Sequence, residues 1–148
     1  MPSVIGKFQY DDGSHCPLSN FYPSPFTAEG LEWPTVEHYY QAMKTIDGTE
    51  RVRISELPTP GQSKRAGRRV SLRTDWEQIK LAVMRDALER KFDRTDSSLG
   101  KYLLDTGDAL LVEGNTWNDV FWGVCRGQGD NWLGHLLMAR RAELRALL

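Results

Sequence analysis

The stretch WPTVEHYYQAMK, residues 33–44, places a carboxylate, an amide and an amine along one side of a predicted helix. At about 100° per residue, Glu37, Gln41 and Lys44 fall on one border of an apolar arc. A carboxylate can act as a general acid or base, and a lysine amine can act as a nucleophile that forms a Schiff base. A solvated helix edge has the same pattern. The spacing alone therefore leaves both interpretations open.

This first helix is predicted from about Val36 to Ile46, with Thr35 as a possible cap and a stop at Asp47-Gly48. The helix dipole favours an ionised carboxylate in its first turn, where Glu37 lies. Glu37 and Lys44 are about two turns apart, or ~10 Å along the axis, so both long side chains can reach a ligand between them. The predicted core face consists of Val36, Tyr39, Tyr40, Met43 and Ile46.

Two basic features elsewhere in the chain could also contact a ligand. Residues 64–73, KRAGRRVSLR, contain no acid, and forked guanidinium groups bind phosphate well. A solvated surface explains this cluster equally well. Lys80 shares a helix face with Trp76, among positions that are otherwise apolar. Its stem could pass the core to reach water, or its amine could bind a ligand.

The stretch EGNTWNDVFWGVCRGQGDNWLG, residues 113–134, concentrates aromatic and polar residues. Three tryptophans close together favour a stacking surface for a planar group, with core packing as the alternative. The glycines do not form a dinucleotide fingerprint, because Trp132 replaces the third glycine and no βαβ unit frames them. The candidate polar residues among the tryptophans are Glu113, Asn118, Asp119 and Asn131.

The remaining elements follow from periodicity and from turn residues. Helices dominate, so we expect an α+β fold: a mostly helical single domain over residues 1–148, with a few short strands. The predicted elements are a strand at 4–10, a loop at 15–26, a hairpin at 26–33 turning at Glu29-Gly30, a short helix within 56–69, a helix from a capping box at Thr74 to about Phe92, a helix at Ser97–Leu104, two buried strands in ALLVEG and VFWGVC, and a C-terminal helix ending near Leu147.

Composition excludes several classes of function. The formal net charge of −1 creates no overall field that would attract nucleic acid or an anionic membrane. No apolar run approaches the ~20 residues that span a bilayer, and the N-terminus lacks a secretory pattern. Two cysteines suggest a reduced, cytoplasmic setting. The scattered His15, His38 and His135 form no metal-ligand spacing, so we expect no metal. We also expect no cofactor and no obligate protein partner.

Six segments, read in order, resemble the NADAR family, also called YbiA-like. They extend from about Leu18 to Arg141, which is nearly the whole chain. Two of them carry the most specific motifs: W-P-[ST]-x-E-H-x-x-Q-x-x-K and D-x-x-W-G followed by G-x-N-x-L-G. The segments are LSNFYPSPF, WPTVEHYYQAMK, WEQIKLAVMRDALERKF, LLDTGDALLVEGN, NDVFWG and GDNWLGHLLMARR.

The resemblance implies an α+β, mostly helical domain that hydrolyses N-glycosidic bonds. Members of the family act on phosphoribosylamino-pyrimidine intermediates of riboflavin synthesis, or remove ADP-ribose from guanine bases in nucleic acid. These substrates share a ribose C1 attached to an exocyclic amine. The implied partner is therefore a nucleotide-like small molecule or ADP-ribosylated nucleic acid.

The resemblance also implies roles for individual residues. Glu37 would be the acid/base, Lys44 the Schiff-base nucleophile, and Asp119 would polarise ribose hydroxyls or water. Direct attack by water on an oxocarbenium-like centre is the other route. Trp76 and Trp122 would hold the base. The predicted substrate-binding set is Asn20, Phe21, Trp33, Gln41, Trp76, Lys80, Trp122, Gly123 and Asn131.

Two other classes of function stay open at the level of sequence. A non-catalytic module that binds ADP-ribose or a nucleotide would carry the same residues and leave its ligand intact. A structural or nucleic-acid-binding domain is favoured only by the basic cluster at 64–73, and the net charge speaks against it.

Overall fold

The computed structural model describes residues 3–148. Within this range, helices predominate over short strands, which confirms the predicted α+β class. The elements in chain order are β1 (Val4–Ile5), β2 (Phe26–Ala28), β3 (Leu31–Trp33), α1 (Val36–Ala42), α2 (Gly48–Ser55), α3 (Pro60–Gly67), α4 (Trp76–Lys91), α5 (Ser98–Asp105), β4 (Leu110–Leu111), β5 (Gly114–Asn115), β6 (Val124–Cys125) and α6 (Trp132–Ala146).

The chain divides into two compact units. The central unit is Asn20–Lys91, and the terminal unit combines the described residues up to Ser19 with Phe92–Leu148. The central unit holds the hairpin β2–β3 and helices α1 to α4, whereas the terminal unit holds the other four strands with α5 and α6. Predicted site residues lie in both units.

The central unit begins with the predicted hairpin. β2 and β3 pair antiparallel, and the turn residues Glu29 and Gly30 have φ angles of 53° and 73°. Two positive φ angles in a two-residue loop match the twist of the flanking strands. The hairpin prediction, including its turn at Glu29-Gly30, is confirmed.

Helix α1 ends earlier than the sequence pattern predicts. Its last residue is Ala42, and Met43 forms the C-cap, so the predicted extension to Ile46 is wrong. Ile46 is 75% exposed rather than part of the core face, because a helical projection no longer applies beyond the last helical residue. Helix α1 packs against α2, α3 and α4, and all residues of the helix are buried.

Helix α2 was missed because Asp47-Gly48 was interpreted only as the end of the preceding helix. Asp47 is instead the N-cap of α2, and its Oδ1 accepts hydrogen bonds from the backbone N–H groups of Thr49 at 2.8 Å and Glu50 at 3.3 Å. An aspartate can satisfy the free N–H groups of a first helical turn in this way. The same dipeptide therefore ends one helix and starts another.

The capping box lies at α3 rather than at α4. Thr59 accepts from the backbone N–H of Gln62 at 3.2 Å, and the Gln62 side chain accepts from the backbone N–H of Thr59 at 3.1 Å. At the start of α4, Glu77 instead accepts from Lys80 Nζ at 2.6 Å. Helix α4 begins at Trp76, so Thr74 does not occupy the N-cap position of the predicted box, although α4 covers nearly the predicted range.

The terminal unit pairs strands that are distant in sequence. β1 pairs parallel with β4, and β5 pairs parallel with β6. The predicted strand at 4–10 is reduced to Val4–Ile5, and the two predicted buried strands are reduced to pairs of residues. The predicted helix at 97–104 is confirmed as α5, with Ser97 as its N-cap. Leucines from α5, β4 and α6 form the core: Leu103, Leu111, Leu133, Leu137 and Leu144.

Candidate active site

Helix α1 places Glu37 in a buried position of the central unit. Thr35 caps the helix by accepting from the backbone N–H of His38 at 3.1 Å, and the backbone N–H of Glu37 donates to the carbonyl of Asn20 at 3.1 Å. The Glu37 side chain is only 8% exposed. Because a buried charge must be paired or hydrogen-bonded, the solvated-edge interpretation of this border is wrong.

Gln41 lies one turn further along α1 and holds the Glu37 carboxylate. Gln41 Nε2 donates to Glu37 Oε2 at 2.7 Å, and both side chains are buried. A donor on a carboxylate favours the ionised form. Gln41 is also predicted to bind substrate, and this contact stays a prediction, since one N–H of its amide donates to Glu37. The geometry therefore gives it a positioning role.

Lys44 lies just beyond the end of α1, in the turn that follows it. Its backbone N–H donates to the Gln41 carbonyl at 3.3 Å, and its carbonyl accepts from the backbone N–H of Arg73 at 2.8 Å. Its Nζ lies 5.6 Å from the centroid of the Tyr40 ring. These contacts anchor a half-buried lysine beside the helix that carries Glu37.

Burial lowers the pKa of the Lys44 amine, while the opposite charge of Glu37 raises it. Three other cations, Arg68, Lys64 and Lys80, act in the same direction as burial and also lower this pKa. Burial disfavours the charged form of an amine, and neighbouring positive charges do the same. A larger share of Lys44 is therefore neutral, and hence nucleophilic, than of an exposed lysine at the same pH.

Of these three cations, the sequence analysis predicts only Lys80 as a ligand-binding residue. Lys80 was a predicted ligand-binding residue, and it combines a 2.6 Å ion pair to Glu77 with a side chain that is 17% exposed. Lys64 and Arg68 belong to the basic cluster at 64–73, for which the sequence allows either a phosphate site or a solvated surface. Their influence on Lys44 is the signal that only the structure supplies.

The two tryptophans predicted to contact substrate in this unit lie in its core. Trp33 is completely buried, and its indole N–H donates to the Ala28 carbonyl at 2.9 Å. Trp76 is 5% exposed and packs against Tyr40 with ring centroids 5.1 Å apart. This burial gives Trp33 a packing role, and its predicted substrate contact stays a prediction. Trp76 supports the Tyr40 ring on which Lys44 lies.

Asn20 and Phe21 precede the hairpin and are both half-buried. Asn20 Nδ2 donates to Met84 Sδ at 3.6 Å. Its Oδ1 is buried and accepts no hydrogen bond from the residues at 3–148 that the structure describes. A buried acceptor beside the Glu37 backbone is suited to a hydroxyl or amine donor of a ligand.

In the terminal unit, Asp119 organises a tight turn. Its Oδ1 accepts from the backbone N–H groups of Phe121 at 3.2 Å and Trp122 at 2.9 Å, while its own N–H and carbonyl bind the side chain of Asn115. Short side chains that bond the backbone two or three residues ahead stabilise such turns. The second carboxylate oxygen, Oδ2, lies outside these two bonds and is positioned by them.

Gly123 and Asn131 stabilise the same turn region, Gly123 by allowing close backbone approach and Asn131 by hydrogen bonds to the backbone. A Cβ on Gly123 would overlap the Glu113 carbonyl and lie 2.8 Å from Asn115 Nδ2. Asn131 accepts from the backbone N–H of Glu113 at 3.0 Å and donates to the Leu111 carbonyl at 3.0 Å. Both ends of the Asn131 amide are therefore engaged with backbone. This geometry gives Asn131 a positioning role in the turn, and its predicted contact with substrate stays a prediction.

The tryptophans of this region retain accessible surface. Trp117 is 48% exposed and Trp132 is 38% exposed, while Trp122 is half-buried and meets Phe121 edge to face with centroids 4.8 Å apart. Core packing thus buries none of the three. Trp122 keeps the partly exposed face that stacking on a planar group requires.

The described residues contain no group of three or more histidine, cysteine or acidic side chains that could hold a metal ion. In the same range, no helix is long and apolar enough to cross a membrane.

The chain is similar over nearly its whole length to proteins of one known family. A model of the NADAR domain family matches residues 7–145. The N-glycosidase YbiA of Escherichia coli K12 is 41% identical over 147 residues, covering 97% of this chain and 91% of that protein. The NMR structure of E. coli YbiA superimposes with a TM-score of 0.83, covering 99% of this chain and 88% of that one.

A longer relative places a similar domain in a larger protein. A riboflavin biosynthesis protein of Vibrio vulnificus is 38% identical over 141 residues, which cover 93% of this chain but 38% of that protein. The family match, the YbiA structure and this relative all extend over nearly the whole chain, and so include the residues of both units.

Proposed function

Because this chain belongs to the NADAR domain family, we propose that it is an N-glycosidase that cleaves the bond between ribose C1 and an exocyclic amine. The observation that carries the proposal is the arrangement around α1. A buried Glu37 is held by Gln41 at 2.7 Å, and a half-buried Lys44 with a lowered pKa lies next to it. We also propose that residues 1–148 act as one NADAR domain in a cytoplasmic setting.

In the proposed reaction, Lys44 is the nucleophile and Glu37 transfers protons. Glu37 takes the proton from the exocyclic N–H and delivers it to the ring oxygen as the C1–O bond opens, which leaves an imine at C1. The neutral Lys44 amine adds to C1, and the amino-base departs with a proton as the lysine imine forms. Water then adds to C1 and expels Lys44, which releases the sugar. Every atom is accounted for without an oxidant or reductant.

Direct attack by water is the alternative route. Glu37 would then activate the water, and Lys44 would contribute only charge. The lowered pKa of Lys44 favours the covalent route, because a protonated amine would serve the electrostatic role better.

The cations near Lys44 support a phosphate-bearing substrate. Lys64, Arg68 and Lys80 are close enough to influence the Lys44 pKa, and guanidinium and ammonium groups bind phosphate through charge-assisted hydrogen bonds. ADP-ribosylated guanine and phosphoribosylamino-pyrimidines both carry phosphate on the ribose. The buried Oδ1 of Asn20 is proposed to accept a hydrogen bond from the same substrate.

Asp119 and Trp122 of the terminal unit are proposed to have the roles that the family resemblance implies. Asp119 Oδ1 is fixed by two backbone N–H groups, and we assign its carboxylate to polarising ribose hydroxyls or water. Trp122, with its half-buried ring, is assigned to stacking on the base.

The decisive experiment compares the two substrate classes directly. The protein is incubated separately with ADP-ribosylated guanine DNA and with phosphoribosylamino-pyrimidine, and the products are analysed by mass spectrometry. Release of ADP-ribose from the DNA, or of the free amino-pyrimidine from the other substrate, lost in Glu37→Gln, supports the proposal and names the substrate. Tight binding with both substrates intact would instead favour the non-catalytic binding module.

A further inference from the structure

Gly67 is the last residue of α3 and meets α1 at Gln41. A Cβ on Gly67 would overlap Gln41 Oε1 and lie 2.8 Å from Gln41 Cδ and 3.1 Å from Gln41 Cβ. Gly67 and Ser63, one turn earlier on α3, are both buried, so α3 presents two small residues to its neighbours. The Gly67 backbone is helical, so glycine is required here for space and not for its conformational freedom.

The bond to Glu37 fixes the orientation of the Gln41 amide, and Gly67 leaves the space that this orientation needs. Gln41 Oε1 is buried and accepts no hydrogen bond from the described residues, 3–148, while Nε2 donates to Glu37 at 2.7 Å. Turning the amide over would bring its oxygen against an ionised carboxylate, which is repulsive. Moving the side chain away would break the bond to Glu37. Space at Gly67 therefore decides whether Gln41 can reach Glu37.

We propose that Gly67 is a positioning residue for the reaction, which acts through Gln41 to keep the Glu37 carboxylate hydrogen-bonded and correctly placed. The inference rests on the proposed function of Glu37 as the proton-transferring group. Gly67 itself touches no reacting atom. Its contribution is to leave the space in which the Gln41 amide is oriented.

The test variant is Gly67→Ala, and Gly61→Ala on the same helix is its matched control. A Cβ on Gly61 would meet nothing closer than 3.9 Å, so this control adds a methyl group to α3 without disturbing α1. Losing a hydrogen bond to a charged group is worth roughly a tenfold to hundredfold change. We expect Gly67→Ala to lower kcat/KM at neutral pH by about that factor and to move the acidic limb of the pH–rate profile upward by about one pH unit or more. Gly61→Ala should retain the wild-type rate and profile.

The double variant Gln41→Ala/Gly67→Ala separates positioning from packing. With the Gln41 side chain cut back to its Cβ, both overlaps disappear and only the 3.1 Å contact with that Cβ remains. A small shift relieves this contact, so an alanine at 67 should change neither the rate nor the acidic limb beyond the effect of Gln41→Ala alone. If Gly67→Ala fails to fold, the thermal melt of the double variant is the test. A folded double variant supports the proposal, whereas an unfolded one shows that glycine at 67 is needed only for packing. An unchanged acidic limb in Gly67→Ala would overturn the inference.

A readout without turnover separates this inference from the proposed function. The Glu37 carboxyl carbon is identified by ¹³C NMR as the signal that Glu37→Gln removes, and it is titrated in the wild type and in both glycine variants. An upward shift of the midpoint in Gly67→Ala alone supports positioning even if no substrate is cleaved. Absence of turnover with that shift present refutes the N-glycosidase proposal and leaves the Gly67–Gln41–Glu37 relation intact.

Discussion

Replacing Lys44 by arginine tests the covalent route most sharply. Arginine keeps the positive charge but stays protonated at any accessible pH, so it can still attract a phosphate or a developing negative charge but cannot add to an imine. The Schiff-base mechanism predicts an inactive variant. An electrostatic role predicts that most of the activity survives.

The size of the effect follows from the state of the amine. An exposed lysine with a pKa near 10.4 is neutral in only about one molecule in a thousand at pH 7.5, and each unit of pKa lowering raises that fraction about tenfold. Burial, followed by the charges of Arg68, Lys64 and Lys80, lowers the Lys44 pKa. The rate should therefore rise with pH until it levels off at the lowered pKa of Lys44. The level region begins below the pH at which an exposed lysine would titrate.

The assay traps the intermediate with borohydride during turnover and maps it by peptide mass spectrometry. Reduction of the lysine imine should leave the sugar on Lys44 in the wild type and no adduct in Lys44→Ala or Lys44→Arg. Lys101→Arg is the control, since Lys101 is exposed on α5; this variant should keep both the activity and the Lys44 adduct.

Robust turnover by Lys44→Arg would refute the Schiff-base route and leave Lys44 as a phosphate or hydroxyl contact. An adduct found on Lys80 would move the nucleophile to α4 while preserving the chemistry. A rate that falls as pH rises through the Lys44 titration would also contradict the mechanism, because it would require the protonated amine.

Three further predictions concern other residues. Glu37→Gln should reduce turnover by about 10²- to 10⁴-fold, the usual worth of a general acid or base, and a thermal melt close to that of the wild type would separate lost chemistry from lost folding. Trp122→Ala should weaken substrate binding by one to two decades in a titration, since stacking of a base contributes about 1–3 kcal/mol, whereas an equal loss in the control Trp117→Ala would contradict a specific role. Arg68→Ala should raise KM several-fold at low salt and less at high salt, since salt screens charge interactions. The control variant Arg69→Ala should raise KM less.

Local chemistry in the sequence determined several elements. The turn at Glu29-Gly30 depends on neighbouring residues only and lies where it was predicted, and the helix predicted at Ser97–Leu104 is found at Ser98–Asp105 with Ser97 as its N-cap. Asp47-Gly48 shows the limit of such signals. The same aspartate can follow one helix and cap the next, and the side-chain bonds to Thr49 and Glu50 that decide between these possibilities are visible only in the folded chain.

The identity of the candidate chemical groups also came from the sequence. Glu37 and Lys44 were recognised by type and spacing, and the basic cluster at 64–73 was noticed without a clear role. Periodicity placed Glu37 on a border between core and solvent, because a helical projection assumes one packed face. It could not show that three other helices pack against α1.

Tertiary structure decided which of these groups can do chemistry. Packing of α2, α3 and α4 against α1 buries Glu37, and burial with nearby cations lowers the pKa of Lys44. The same packing brings Gly67 against Gln41, a contact between residues 26 positions apart in the chain. Burial, charge proximity and close approach depend on which elements pack together, and no local pattern of residues encodes them.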